Sequence, residues 1–249
     1  MRFLKQFINV LGFMTILPFG SDDRMEPKDF GRLPAMFPLV GLVIGLFLFL
    51  FRFTLEAFDP PASIIPILVT TFLVILTRGF HLDGLADTMD GLLSHRSQEE
   101  KLAIMKDPHQ GTFGVLAIIL DILLKVALLG ALFNHPGQAF VLFLFPAWGR
   151  LSTTVVTTFC NYARPSGGLG QWMVEYAGPG TLFFASSVTI VISALFGLHT
   201  FICSIFALLV GFILVIVWNL TLKGVTGDLL GATTELSELA TLLFFLLLS

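Results

Sequence analysis

Residues 176–222 read YAGPGTLFFASSVTIVISALFGLHTFICSIFALLVGFILVIVWNLTL and contain no Lys, Arg, Asp or Glu. At about 1.5 Å per helical residue this run can cross a ~30 Å hydrocarbon core twice. Gly197-Leu198-His199 supplies the reversal between the two passes. The rest of the chain agrees: of 249 residues 55% are hydrophobic and only 12% charged, against roughly a quarter charged in a soluble domain. Lipid, not water, is the main solvent of this protein.

Apolar runs and their breakers predict spans near 3–19, 34–55, 62–82, 112–133, 138–160, 181–198, 200–222 and 229–248. The expected fold is all-α, a polytopic integral membrane bundle of seven or eight membrane helices in a single domain over 1–249. The first run follows Arg2 and Lys5 and ends at Pro18 with no small-x-small cleavage pattern, so it is read as a retained helix, either spanning or re-entrant and interfacial. Connections at 20–33, 83–111, 161–180 and 223–228 are long or charged, whereas 56–61, 134–137 and 197–200 are short. Arg24, Lys28, Arg32, Arg78, Arg96, Lys101, Lys106, Arg164 and Lys223 fall on the long-loop side, with Arg52 alone opposite. Basic residues mark the cytoplasmic side, so the long-loop face is expected there. Among the acids, Glu56 and Asp59 lie opposite and Asp121 lies within a span.

Several function classes drop out. A net charge of −3 without clustered Lys and Arg excludes a nucleic-acid groove. Cys160 and Cys203 sit in or beside apolar runs with no pairing or metal-ligand spacing, and are assigned to packing. No internal repeat supports a transporter built from inverted halves.

The chemistry concentrates at His81-Leu82-Asp83-Gly84-Leu85-Ala86-Asp87-Thr88-Met89-Asp90-Gly91, the end of the third predicted span. At 100° per residue Asp83, Asp87 and Asp90 share an arc of about 60°. Like charges this close call for a cation, and oxygen-only ligands suit Mg²⁺, which completes its shell with water and substrate phosphate. Gly84, Ala86 and Gly91 flank that face without bulk. A second acidic face follows in Thr226-Gly227-Asp228-Leu229-Leu230-Gly231-Ala232-Thr233-Thr234-Glu235, where Asp228 and Glu235 lie seven residues apart on one stripe. Asp228 is also a candidate helix cap. Glu238 lies further round and ranks below both.

The segment Met105-Lys106-Asp107-Pro108-His109-Gln110-Gly111-Thr112 reads as a turn entering a helix N-terminus, where backbone N–H groups suit an anion. Lys106, Asp107, Gly111 and Thr112 are therefore candidate phosphate-binding residues, with Arg164 in the glycine-rich stretch Arg164-Pro165-Ser166-Gly167-Gly168. Arg150 lies inside a predicted span, where a charge needs a cavity or a counter-charge. Asp121 and Lys125, spaced i,i+4, are expected to neutralise each other. His81 points away from Asp83 on a regular helix and suits packing or a supporting hydrogen bond.

Four blocks of this sequence resemble the cobalamin synthases, also called adenosylcobinamide-GDP ribazoletransferases: Phe37-Pro38-Leu39-Val40-Gly41-Leu42, residues 79–91, Met105-Lys106-Asp107 with Gly111-Thr112, and residues 226–232 with Glu235-Leu236. They run in the family's order along nearly the whole chain; Ile16 and Ala103 depart from its pattern, standing where an arginine and an acid are expected. The resemblance implies a bacterial or archaeal inner-membrane enzyme with its active site on the cytoplasmic face. Its implied reaction transfers adenosylcobinamide phosphate from adenosylcobinamide-GDP to α-ribazole or its 5′-phosphate, releasing GMP. Mg²⁺ on Asp83, Asp87 and Asp90 would hold the diphosphate, Lys106 and Arg150 would offset developing charge, and Asp228 or Glu235 would position or deprotonate the ribose hydroxyl. The aspartate pattern is also similar to that of CDP-alcohol phosphotransferases, which makes a lipid-acceptor enzyme the near alternative. A transporter is the alternative from another class. Oligomeric state is not legible.

Overall fold

The computed structural model describes residues 2–19, 26–135, 137–164 and 168–249. Arg24 and residues 165–167 of the glycine-rich stretch lie outside the described residues. The helices are α1 (Arg2–Met14), α2 (Pro27–Phe30), a 3₁₀ turn (Leu33–Met36), α3 (Phe37–Glu56), α4 (Ile65–Thr77), α5 (Phe80–Leu92), α6 (Gln98–Ile104), α7 (Thr112–Phe133), α8 (Val141–Phe159), α9 (Gly168–Tyr176), α10 (Pro179–Leu195), α11 (Leu198–Leu222) and α12 (Gly227–Leu248). The chain is a polytopic membrane helix bundle, as the apolar runs require.

Some of the predicted runs are broken rather than continuous helices. Among the described residues four helical stretches are long and apolar enough to cross a bilayer, Pro27–Glu56, Thr112–Phe133, Leu198–Leu222 and Gly227–Leu248, and six pass if each of two sharply bent pairs counts as one span. One such pair is α4 and α5, bent by 89°. The predicted continuous run 62–82 breaks because Arg78 and Gly79 both adopt left-handed backbone, φ 56° and 62°. Apolarity persists through such a bend, so a hydropathy reading does not see it. Arg78 donates from Nη2 to the carbonyls of Gly12 and Phe13, at 3.3 and 3.0 Å, capping the end of α1. At 13 residues, α1 reaches about 20 Å and is too short to cross the core. Of the two readings of the first run, the spanning one falls away.

The hub is α8, which packs on α3, α10, α11 and α12. From Leu144 to Thr157 every α8 side chain is buried. Small residues permit this crowding: a Cβ at Gly41 of α3 would sit 2.5 Å from the Pro146 carbonyl oxygen, so the helix backbones approach as small-xxx-small pairs allow. Outward faces are apolar, with Leu116, Leu120 and Leu124 on α7 and Leu209, Ile213, Ile216 and Leu220 on α11 exposed.

Candidate active site

α5 lies against both α7 and α12, and glycines set its distance. A Cβ at Gly84 would meet the Asp228 carbonyl oxygen at 2.7 Å, and one at Gly231 the His81 carbonyl oxygen at 3.1 Å. This contact, which needs no side chain on either surface, puts the aspartate face of α5 beside the first turn of α12. The neighbour of α12 is thus α5, most of which lies in the predicted connection 83–111; α4, which fills the third predicted span, packs on α3 and α7 instead.

The α8–α9 and α11–α12 connections are zipped together: Ala163 N–H donates to the Val225 carbonyl and Val225 N–H to that of Asn161, both at 2.8 Å. Arg164 is thereby carried to α12, where its Nη2 donates to Asp228 Oδ2 at 2.8 Å. Thr226 Oγ1 donates to the same oxygen at 3.2 Å. The cap of α12 is Thr226, whose side chain accepts from the Leu229 N–H. Asp228 is therefore not the cap; its carboxylate sits in the first turn, where the helix dipole favours a negative charge, and is held by Arg164 and Thr226.

Asp83 is exposed and Asp87 half-buried. The charges of Asp83, Asp228 and Asp90 all bear on Asp87, and Gln110 Nε2 donates to its Oδ1 at 3.2 Å. Asp90 has a different task. Its two oxygens accept the backbone N–H groups of Gly111, at 2.7 Å, and Gly114, at 2.8 Å. The anion expected at the N-terminus of α7 is a carboxylate of the protein itself, so a substrate phosphate would have to displace Asp90 to use Gly111. Thr112 is exposed beside it, as are Lys106 and Asp107 on the preceding turn. The His109 backbone N–H and ring beside Asp107 hold its carboxyl below the ordinary carboxylate range.

Among the described residues no three His, Cys, Asp or Glu side chains already converge as a metal-ligand set. The expected triad of Asp83, Asp87 and Asp90 is not preassembled, because Asp90 is turned to α7. Magnesium uses only one or two protein carboxylates and fills its octahedron with water and phosphate oxygens. Asp83 and Asp87 fit that requirement: they lie one turn apart, and among the described residues neither pairs with a Lys or Arg.

Glu235 and Arg150 do not join this face. Glu235 pairs with Lys125, and Arg150 Nη1 pairs with Glu238 Oε1 at 3.0 Å, in a cluster buried between α7, α8 and α12. The expected Asp121–Lys125 pair is present at 3.0 Å and belongs to the same cluster. Seven residues of helix, about 10 Å of rise, separate Glu235 from Asp228. Sequence reasoning gave Gln110 and Thr226 no role and ranked Glu238 below Asp228 and Glu235. Thr226 carried a legible signal, a threonine just ahead of a helical Gly-Asp; Gln110 and Glu238 carried none, since their partners are remote in the chain.

Residues 6–246 match the family described as cobalamin-5-phosphate synthase. The chain is 35% identical to the adenosylcobinamide-GDP ribazoletransferase of Clostridium botulinum (strain Loch Maree / Type A3), over 98% of each chain. It is 34% identical to the proteins of that name from Acetivibrio thermocellus, over 99% of each chain, and from Thermoanaerobacter sp. (strain X514), over 100% of each. No solved structure matches the chain.

Proposed function

The chain belongs to the cobalamin-5-phosphate synthase family, and from that premise we propose that it is an adenosylcobinamide-GDP ribazoletransferase whose active site is the pole where α5 meets the first turn of α12. The observation that carries the site is the convergence of Asp83 and Asp87 with the Arg164–Asp228 pair. Transfer of a phosphate-linked group is mostly positioning and charge neutralisation, and this pole offers both.

Asp83 and Asp87 would hold a magnesium ion, which supplies charge neutralisation at the diphosphate and at the departing GMP. Arg164 has a guanidinium fork suited to phosphate, and on substrate binding it exchanges Asp228 for a phosphate oxygen. The released Asp228 carboxylate takes the proton of the α-ribazole ribose hydroxyl as that oxygen forms its bond to phosphorus and the bond to GMP breaks. Lys106 adds a point charge from the α6–α7 turn. Glu235 and Arg150 take no part in contacting substrate.

The basic residues at this pole support a cytoplasmic orientation in an inner membrane, where nucleotide substrates are available. A transporter would need a path lined by its buried charges, whereas the buried cluster encloses only about 10 Å³, room for about one water. The test is purified protein in lipid given adenosylcobinamide-GDP and α-ribazole, with GMP release followed with and without Mg²⁺. Release that requires both organic substrates and the metal is the expected result; transfer to a lipid alcohol instead would replace the proposal with the lipid-acceptor reading.

A further inference from the structure

The buried cluster has no part in the reaction as described, yet it ties together the helices that carry the site. Asp121 and Lys125 of α7, Arg150 of α8, and Glu235 and Glu238 of α12 are each at most 6% exposed. Lys125 Nζ reaches Asp121 Oδ2 at 3.0 Å, Glu238 Oε2 at 3.3 Å, and Glu235. Arg150 Nη1 reaches Glu238 Oε1 at 3.0 Å. Among the described residues Glu238 alone contacts both bases, one with each carboxylate oxygen. Its stem runs against α8, where a Cβ at Gly149 would lie 2.6 Å from Glu238 Cγ. On the far side, Arg150 Nη2 stands 3.5 Å from Nδ1 of His81, in the first turn of α5 and two residues before Asp83. The enclosed space of about 10 Å³ admits no substrate.

We propose that Glu238 is a positioning residue: by bridging Lys125 on α7 to Arg150 on α8 it holds Arg150 against His81, and so sets where α5 presents Asp83 and Asp87. This rests on the assignment of the α5 acids to the reaction. The sequence ranks Glu238 below Glu235, and the structure reverses that order, because only Glu238 reaches across to α8.

Glu238→Gln is the sharp test. The two bases sit on different carboxylate oxygens, and an amide replaces one of those oxygens with an NH2 donor, which faces a base with a like hydrogen-bonding group. Its neutrality leaves the cluster with two acids, two bases and no net charge, and Arg150 keeps the Pro146 carbonyl in place of its ion pair; folding is checked by the unfolding midpoint in lipid. Glu238→Asp keeps the charge and loses the reach. Both variants, in lipid, are compared with wild type by hydrogen exchange of peptides over Phe80–Leu92 and over Phe37–Glu56, and by GMP release across a Mg²⁺ titration. The expected result is faster exchange confined to the α5 peptide. With it, GMP release falls, by up to about 10²-fold for a misplacement of ~1 Å, and the Mg²⁺ requirement rises. Wild-type exchange over α5 in either variant overturns the proposal. So does exchange that rises equally over α3, which would mean general loosening. A wild-type protein that releases no GMP would defeat the ribazoletransferase reading instead, and the exchange comparison would still decide the role of Glu238.

Discussion

Arg164 donates to the Asp228 carboxylate across 2.8 Å, joining the chain that follows α8 to the first turn of α12. The two residues are 64 apart in sequence, and the pair is only partly exposed, with side chains 13% and 24% accessible. In the proposed mechanism this pair keeps a cation and a proton acceptor together until a phosphate competes for the cation.

Asp228→Asn separates chemistry from structure. Thr226 remains as the cap, so insertion and thermal stability should stay close to wild type. Loss of the proton acceptor should lower GMP release by about 10²–10⁴-fold, the usual scale of general acid–base catalysis. Thr226→Ala should do the reverse in part, costing about 1 kcal/mol of stability through the lost cap, measured as a lower unfolding midpoint in lipid. Near-normal GMP release by Asp228→Asn would remove it from the mechanism.

Asp83→Asn and Asp87→Asn should abolish Mg²⁺-dependent turnover in protein that still inserts and folds. Each removes a ligand charge without emptying core volume, and Asp83 is exposed in any case. Binding of Mn²⁺ in place of Mg²⁺, followed by electron paramagnetic resonance, should weaken in parallel. Activity near wild type in both variants would sink the metal assignment.

Asp90→Ala is expected to act on stability first. The side chain accepts two backbone N–H groups at the start of α7, and charge-assisted hydrogen bonds contribute about 1.5–3 kcal/mol each when well buried. With Asp90 half-buried, a total loss of about 1–3 kcal/mol is the expected scale after solvent screening. The unfolding midpoint should fall for Asp90→Ala and hold for Asp83→Asn. Equal midpoints would show that α7 does not depend on this cap.

Gly84→Val should damage both fold and function. Its first added carbon would sit 2.7 Å from the Asp228 carbonyl oxygen, and backbone cannot yield as a side-chain tip can. Overpacking of this kind costs about 1–3 kcal/mol, and moving α12 from α5 separates Asp228 from Asp87. A Gly84→Val protein with an unchanged unfolding midpoint and unchanged GMP release would show that the two helices are not in this contact.

Orientation is checked by labelling. Arg96→Cys, in the connection between α5 and α6, should react with a membrane-impermeant thiol reagent only from the cytoplasmic side. Cys160 and Cys203 are buried and should stay silent. Labelling from outside would invert the orientation.

Much of this protein follows from the chain alone. Apolar runs of 18 or more residues must be helical in lipid, because no other spanning backbone satisfies its own hydrogen bonds, and so residues 112–133 are predicted and found as α7 with the same limits. The common face of Asp83, Asp87 and Asp90 follows from the 100° helical period in the same way. That period says which residues of one helix share a side; it carries nothing about which helix that side will meet. Asp228 and Glu235 therefore look equivalent in sequence, and only packing parts them, placing one beside α5 and Arg164 and the other on Lys125. Asp90 likewise looks like a third metal ligand until the N-terminus of α7 arrives to take both its oxygens. Local order is written in the spacing of residues, whereas the partition of these acids among an exposed α5 face, a helix end and a buried ion network depends on contacts between segments far apart in the chain.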